Sequence, residues 1–465
     1  MFDLVIRNAK VADPEKGFFG EADVGIVEGR IAEVGRSVGM AKSTLDAEGL
    51  ILQAGIIDTH LHLTIHPFGL RMVTQSGVTT CCDMMGPAEV VMSNVAKFGT
   101  GINTAILTAL VPGKNLPLSD HNGLVLEAAM SEALSDGAFG IKLLGGHFPL
   151  SPEVTADVIK RASNRGIYLA FHAGTTSAGS DITGMRQAVE LAQGRPFHLA
   201  HINAYCRGRT ADVLSECKEA AELLNDHPEI LTESYLSDRS GCPLLLDTSD
   251  KPRSSVVCAQ LQHMGFEASR NGIVEAMKSG RLRAVAPRNE VLELLDTEEG
   301  TQAFLSGEIH DGMFCGVNPI VARTFFATER RTDGTFLVDS ISTDGGSLPR
   351  NVIVESGCAL MKLGGLNPVE FAAKTALIPA RMLGLTQKGR LTEGADADLT
   401  LYDPISGCAV HSFVRGAPVL SNRSVIGTGG SILTTYSGVE AVRCKGLKPI
   451  VVNGGIPTLD RRFNA

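Results

Sequence analysis

The chain has 465 residues, a net charge of −9 and 44% apolar residues against 20% charged. Its mean hydropathy of +0.11 excludes a disordered chain, which needs low hydrophobicity and high charge. The acidic balance argues against a general nucleic-acid or anionic-membrane surface, and no apolar run reaches the ~18 residues of a membrane span. Ten cysteines without a Cys-x-x-Cys pair read as reduced thiols of a cytoplasmic protein. The N-terminus lacks the basic start and apolar run of a signal peptide.

A length prior of about 150 residues per domain suggests roughly three domains. The chain order reduces this to two. Residues 1–54 read as short strands. Leu4–Val11 alternates, Ala22–Val27 and Arg30–Val34 flank a Glu28-Gly29 hairpin turn, and a further strand pair fits within Ser43–Leu52. From Ile56 short apolar runs alternate with amphipathic helical segments. The predicted strands are Ile56–Leu63, Val78–Asp83, Asn103–Val111, Phe139–Leu144, Tyr168–His172, Phe197–His201, Ile230–Leu236 and Phe336–Asp344. Helical patterns fall at Val154–Asn164, Thr183–Ala192 and Thr210–Leu224. Eight strands alternating with helices predict an α/β chain folded as a (β/α)8 TIM barrel over residues 55–390.

Roughly 100 residues separate the last two strands, far beyond an ordinary connection. Residues 239–335 are therefore expected to form an insertion over the barrel mouth, with helices at Glu267–Met277 and Asn289–Leu295. After a helix at Pro368–Leu383, strands are expected at Asp398–Tyr402, Ala409–Val414 and Ala441–Val452. Residues 1–54 and 391–465 would then build one small composite β-sandwich.

The strongest local signal is Gly55-Ile56-Ile57-Asp58-Thr59-His60-Leu61-His62. His60 and His62 are two apart on a strand, so they share a face and could share a metal ion. Two half-buried structural histidines are the plainer reading of that pair alone. Further polar residues stand on other buried strands: Lys142, His172, His201 and Asp344. A lone buried lysine is costly unless paired or chemically altered. All six side chains would converge at one mouth of a barrel, where active sites of this fold lie.

Taken in order, His60-Leu61-His62, Lys142, His172, His201 and Asp344 resemble the binuclear metal site of the amidohydrolase superfamily. Gly55–His62 is similar to its first-strand signature, and Gly389–Leu399 to its return into the β-sandwich. Lys142 points to the hydantoinase and dihydroorotase branch of cyclic amidohydrolases, and His172–Ser180 also resembles enamidase. No arginine follows His62 as in dihydroorotases, which argues against that enzyme.

The resemblance implies His60, His62 and Asp344 around one divalent ion and His172 and His201 around another. Both ions are expected to be zinc, bridged by a CO2-derived carbamate on Lys142. It implies a metal-dependent hydrolase that cleaves the C–N amide bond of a small-molecule substrate, such as a hydantoin, imide or lactam, with Asp344 as proton shuttle. A heterocycle deaminase and an N-acyl-amino-acid hydrolase stay open as alternatives, as does a non-catalytic hydantoinase-like binding protein. A homo-oligomer, dimer or tetramer, is also expected. His147, Asn203, Tyr205, Asn318 and Ser347 are candidate substrate contacts. His66 is placed at the rim. His198 is assigned by strand parity to the face opposite His201, packing against a helix.

Overall fold

The structure, a computed structural model, describes residues 1–464. Eight parallel strands follow one another as neighbours: Ile56–His62, Val78–Asp83, Thr100–Ala109, Gly140–Leu144, Tyr168–His172, His198–Leu199, Leu231–Tyr235 and Ser340–Ser342. The last strand closes the ring in two steps. Ser340–Ser342 pairs with Leu231–Tyr235, and Gly345–Gly346 pairs with Ile56–His62. Between these pieces lie Thr343 and Asp344, so the residue expected to be catalytic sits at the seam.

Helices on the outer face follow simple local rules. Pro152–Arg165 starts after Ser151, whose side chain accepts from the Val154 amide, and has proline in its first turn. Its buried stripe is Thr155, Val158, Ile159 and Ala162, spaced for one helical face. It stops at Gly166, which takes the left-handed conformation. Removing the Ser151 cap would cost about 1 kcal/mol.

A second sheet joins both ends of the chain. The strand Phe2–Asp13 pairs with Phe18–Val27, and Ile51–Ala54 pairs antiparallel with Leu399–Asp403. The Glu28-Gly29 turn is present, both residues at positive φ. Lys388 ties this sheet to the preceding segment through Asp396 at 3.0 Å and Asp398 at 2.6 Å. Asp398 also accepts from Asn103 of the third barrel strand, at 3.0 Å.

Four expectations are corrected. The chain beyond Val425 leaves the sandwich: Gly429–Thr434 pairs parallel with Thr100–Ala109 and extends the barrel sheet. Ala441–Val452 is not one strand but the helix Val439–Cys444 followed by the strand Lys448–Val451, because Gly446 at positive φ breaks it. Asn289–Leu295 is not a helix. Asn289 and Glu290 both take positive φ as a hairpin turn, and Val291–Leu294 pairs with Leu282–Arg288. The strands drawn within Ser43–Leu52 pair with Phe2–Asp13, not with each other.

Residues 239–335 carry their own four-stranded sheet, helices and apolar core, including Leu244, Leu261, Ile273, Met277 and Phe314. Met313, Val285 and Leu292 pack on Met72 and Leu348, so this unit rests on the helix Gly69–Gln75 after the first barrel strand and on the loop after the eighth. Among the described residues no helix is long and apolar enough to cross a membrane.

Candidate metal centre

The strand Ile56–His62 carries His60 and His62 toward Asp344. The Oδ1 atom of Asp344 lies 3.0 Å from His62 Nε2 and 3.6 Å from His60 Nε2. The three side chains can each offer one ligand atom within 4.8 Å of the others. Asp58 of the same strand explains how Asp344 is held. Its carboxyl takes the Thr343 hydroxyl at 2.5 Å and the Thr343 amide at 3.2 Å, which pins the residue before Asp344. Burial lifts the Asp58 pKa to about 7. Asp344 itself has φ +50, a turn that swings its side chain over the mouth.

His172 ends the fifth strand and His201 follows the sixth. Their rings meet edge to face at 4.4 Å, and His201 stacks on His60 at 5.0 Å. His172 Nε2 is 2.7 Å from Ser180 Oγ. A Cβ on Gly146 would lie 2.2 Å from His172 Nε2, so only glycine lets the loop after Lys142 pass beneath that ring.

Lys142 is buried, with Nζ 3.0 Å from Met84 Sδ. Burial pushes its pKa down to about 8. Burial likewise lowers His60 to about 4 and holds His172 and His201 well below the ordinary imidazole range. Neutral imidazoles are the ligand form of histidine. Burial disfavours the Asp344 charge, yet Arg350 and the surrounding histidines outweigh it and keep the carboxyl well below its usual range. Among the described residues the buried Nδ1 atoms of His62 and His201 have no hydrogen-bond partner, so the pocket leaves imidazole lone pairs or protons unmatched. A donor set of imidazoles and a carboxylate around such unmatched atoms fits a divalent ion.

The other sequence candidates have clear places. The His147 ring stands at the rim, 5.3 Å from His172. Asn203 uses both ends of its amide on the Tyr235 backbone. The Tyr205 hydroxyl accepts from the Ala173 amide, while its ring walls the site 5.8 Å from His201. Asn318, from the inserted unit, accepts from Arg207 and the Tyr235 hydroxyl and donates to Ser237 and Arg239 carbonyls. Ser347 donates to the His66 carbonyl at 2.9 Å, which sets the rim loop.

His198 is a correction. It faces the barrel interior, where its Nε2 meets Glu233 Oε2 and its Nδ1 meets the Tyr168 hydroxyl. Strand parity fails because the regular strand stops at Leu199 and His201 takes φ +35. Glu233 is the residue the sequence reading passed over. It is fully buried on the seventh strand, and its Oε1 sits 2.6 Å from His60 Nδ1 and 2.7 Å from the His201 amide nitrogen. An acid inside the apolar run Ile230–Leu236 was the available signal.

No family model matches the chain. The allantoinase of Deinococcus radiodurans is 27% identical, over 92% of this chain and 97% of that protein. A D-aminoacylase structure described as having a binuclear metal centre superposes with a TM-score of 0.67 at 18% identity, over 93% of this chain and 99% of the other. A D-hydantoinase structure gives a TM-score of 0.62 at 16% identity, over 93% and 98%. The closed parallel barrel, the second sheet joining the N-terminal strands to residues 399–425 and the near full-length likeness to these enzymes make the chain similar to the hydantoinase-like branch of the amidohydrolase superfamily.

Proposed function

We propose that the chain is a metal-dependent hydrolase of a C–N amide bond in a small molecule, a cyclic amide such as a hydantoin, imide or lactam. The observation that carries this is the convergence of His60, His62 and Asp344 from the first and eighth strands with the stacked His201 and His172 beside them. His60, His62 and Asp344 would hold one divalent ion and His172 and His201 another, with Lys142, as a carbamate, between them. Zinc suits the imidazole and carboxylate donors. When bound, the ions lower the pKa of water and polarise the substrate carbonyl.

The chain's own residues supply the rest. Asp344 accepts the water proton at its carboxylate and delivers it to the leaving nitrogen. Arg350 holds Oδ2 of that carboxylate at 2.7 Å and leaves Oδ1 facing the histidines. The lowered pKa of Lys142 raises the share of neutral amine, the form that can add CO2.

N-acyl-amino-acid hydrolysis is the second reading. Among the described residues Arg207 bonds only neutral groups, Asn318 Oδ1 and the Tyr235 hydroxyl, which leaves its charge for a substrate carboxylate. The structural likeness to D-aminoacylase supports this reading. We also infer a cytoplasmic homo-oligomer; ten unpaired cysteines support a reducing compartment.

Metal analysis paired with a hydrolysis screen tests the proposal. Two zinc ions per chain and turnover of hydantoins, imides or lactams are expected. One ion per chain with ammonia release from a heterocycle would favour a deaminase, and turnover of acylated amino acids alone would favour the second reading. A chain that binds no metal would overturn both.

A further inference from the structure

We propose that Tyr168, His198 and Glu233 form a one-way hydrogen-bond relay through the barrel interior. The relay fixes His60 as its Nδ1–H tautomer and turns the Nε2 lone pair to the metal centre. The inference rests on the metal-site reading above, and makes these three positioning residues.

The direction follows from donor arithmetic. An ionised carboxylate only accepts. Glu233 Oε1 faces the His201 amide nitrogen, which can only donate, and His60 Nδ1 at 2.6 Å. His60 must therefore carry its proton on Nδ1. On the other side Oε2 faces His198 Nε2, which must also donate. In the relay His198 carries this one proton only, so its Nδ1 accepts, and the Tyr168 hydroxyl stands 2.8 Å away to donate to it. Each group has one role and every role is filled. Tyr168, His198, Glu233 and His60 are at most 1% exposed, so water does not compete.

Register builds the relay. Ala170 lies opposite both Lys142 and His198, which places these residues at one level of the barrel. Tyr168 shares a face with Ala170 one layer below. The same Oε1 that orients His60 also holds the amide of His201 in its left-handed turn, where the His201 ring stacks on His60. One carboxylate oxygen thus sets residues from both halves of the proposed centre.

The relay predicts a particular failure pattern. In Glu233→Gln the side-chain oxygen still accepts from His60 and His201, but a neutral amide is a weaker acceptor than a carboxylate, so His60 Nε2 becomes a poorer metal ligand. Its amide donor meets His198 Nε2, so His198 must flip its proton to Nδ1 and Tyr168 must become the acceptor. Tyr168→Phe removes that escape.

The test is zinc affinity by chelator competition on the full chain, in a double-mutant cycle. Glu233→Gln is expected to weaken zinc about tenfold. Tyr168→Phe alone is expected to weaken it no more than about threefold. The double variant should fall about tenfold below the product of the two. Wild-type affinity in Glu233→Gln, or strictly multiplicative effects, would overturn the relay. A wild-type chain that binds no zinc would instead overturn the metal-site reading. Should the variants not fold, nitrogen NMR of the metal-free wild-type chain labelled at histidine decides, with His60 identified by its loss in His60→Gln. Protonation at Nδ1 with a far-downfield N–H proton supports the relay, and protonation at Nε2 refutes it.

Discussion

The Arg350 guanidinium donates to Asp344: Nη2 lies 2.7 Å from Oδ2, on the opposite side of the carboxylate from His62. Arg350 is 3% exposed, and its other terminal nitrogen donates to the Arg239 carbonyl, at the start of the inserted unit. In the metal-free chain this guanidinium is the charge that compensates a buried carboxylate. Arg350→Met should therefore destabilise the metal-free protein by about 3–5 kcal/mol. Zinc beside Oδ1 would take over part of that compensation, so the loss should shrink in the loaded protein. Urea unfolding with chelator and with saturating zinc measures both. Equal losses in the two states would contradict this role.

Asp344→Asn preserves the shape of the side chain but removes its capacity to take a proton. Turnover is expected to fall about 10²- to 10⁴-fold. Metal content, measured on the same sample, should drop by no more than the ion that Asp344 helps to hold. Full activity with metal in place would remove Asp344 from the proton path.

Lys142 sits against Met84 Sδ and, among the described residues, has no carboxylate partner at hydrogen-bond distance. Incubation with bicarbonate and zinc should raise the intact mass, under native conditions, by one CO2. Lys142→Ala should abolish that increment and lower zinc content by about one ion per chain. A small carboxylic acid should restore part of the lost activity, because it replaces the carbamate oxygens. An unmodified lysine in an active, fully loaded enzyme would disprove the carbamate.

Lys374 is buried away from the site, with Nζ 2.9 Å from the Ala327 carbonyl and 4.3 Å above the Phe336 ring. Burial lowers its pKa to about 7, despite opposing attraction from Asp339 and Glu370; Arg330 adds to the lowering. The folded chain loses this proton near pH 7 and the unfolded chain near the ordinary lysine value. Between them the unfolded state binds more protons, so this group makes stability rise with pH across that window. The slope is at most about 1.4 kcal/mol per pH unit. Lys374→Met should flatten the rise and be neutral or stabilising by about 1–4 kcal/mol at pH 6. Denaturant titrations at pH 6, 8 and 9.5 compare the two chains, and an unchanged slope would refute the assignment.

The C-terminal segment is a strap across the barrel. Arg461 Nε contacts Asp339 at 2.5 Å, its terminal nitrogens bind the Pro228 and Ile230 carbonyls, and Phe463 stacks on Phe336 at 5.6 Å. Arg461→Ala should cost about 3–5 kcal/mol because Asp339 stays buried without its cation. A loss near zero in thermal unfolding would show the strap to be dispensable.

The barrel strands could be read because each is a short apolar run between amphipathic helices, a local pattern. His60, His62, Lys142, His172, His201 and Asp344 stood out because a polar residue in such a run has a cost that needs a reason. Glu233 met the same criterion and was passed over, since nothing near it in sequence names its partners His60 and His198. His198 was misplaced because parity assumes a regular strand, and the strand ends at Leu199. Asn289–Leu295 misled because a short apolar segment fits either period, and the positive φ of Asn289 and Glu290 settles it as a hairpin.

By itself, then, the sequence determined the alternation of barrel strands and helices, the outward helix faces and which polar side chains stand in apolar runs, because these depend on residues close along the chain. Only the tertiary structure decided what those side chains touch. Closure of the ring at Thr343–Asp344 brings residues 60 and 344 together, and the Arg239 carbonyl, at the start of the inserted unit, accepts from the Arg350 that pairs with Asp344. The descent of Gly429–Thr434 into the barrel sheet was likewise fixed there. Such pairings join positions far apart in sequence, and a hydrogen bond carries no trace in the residues that lie between its ends.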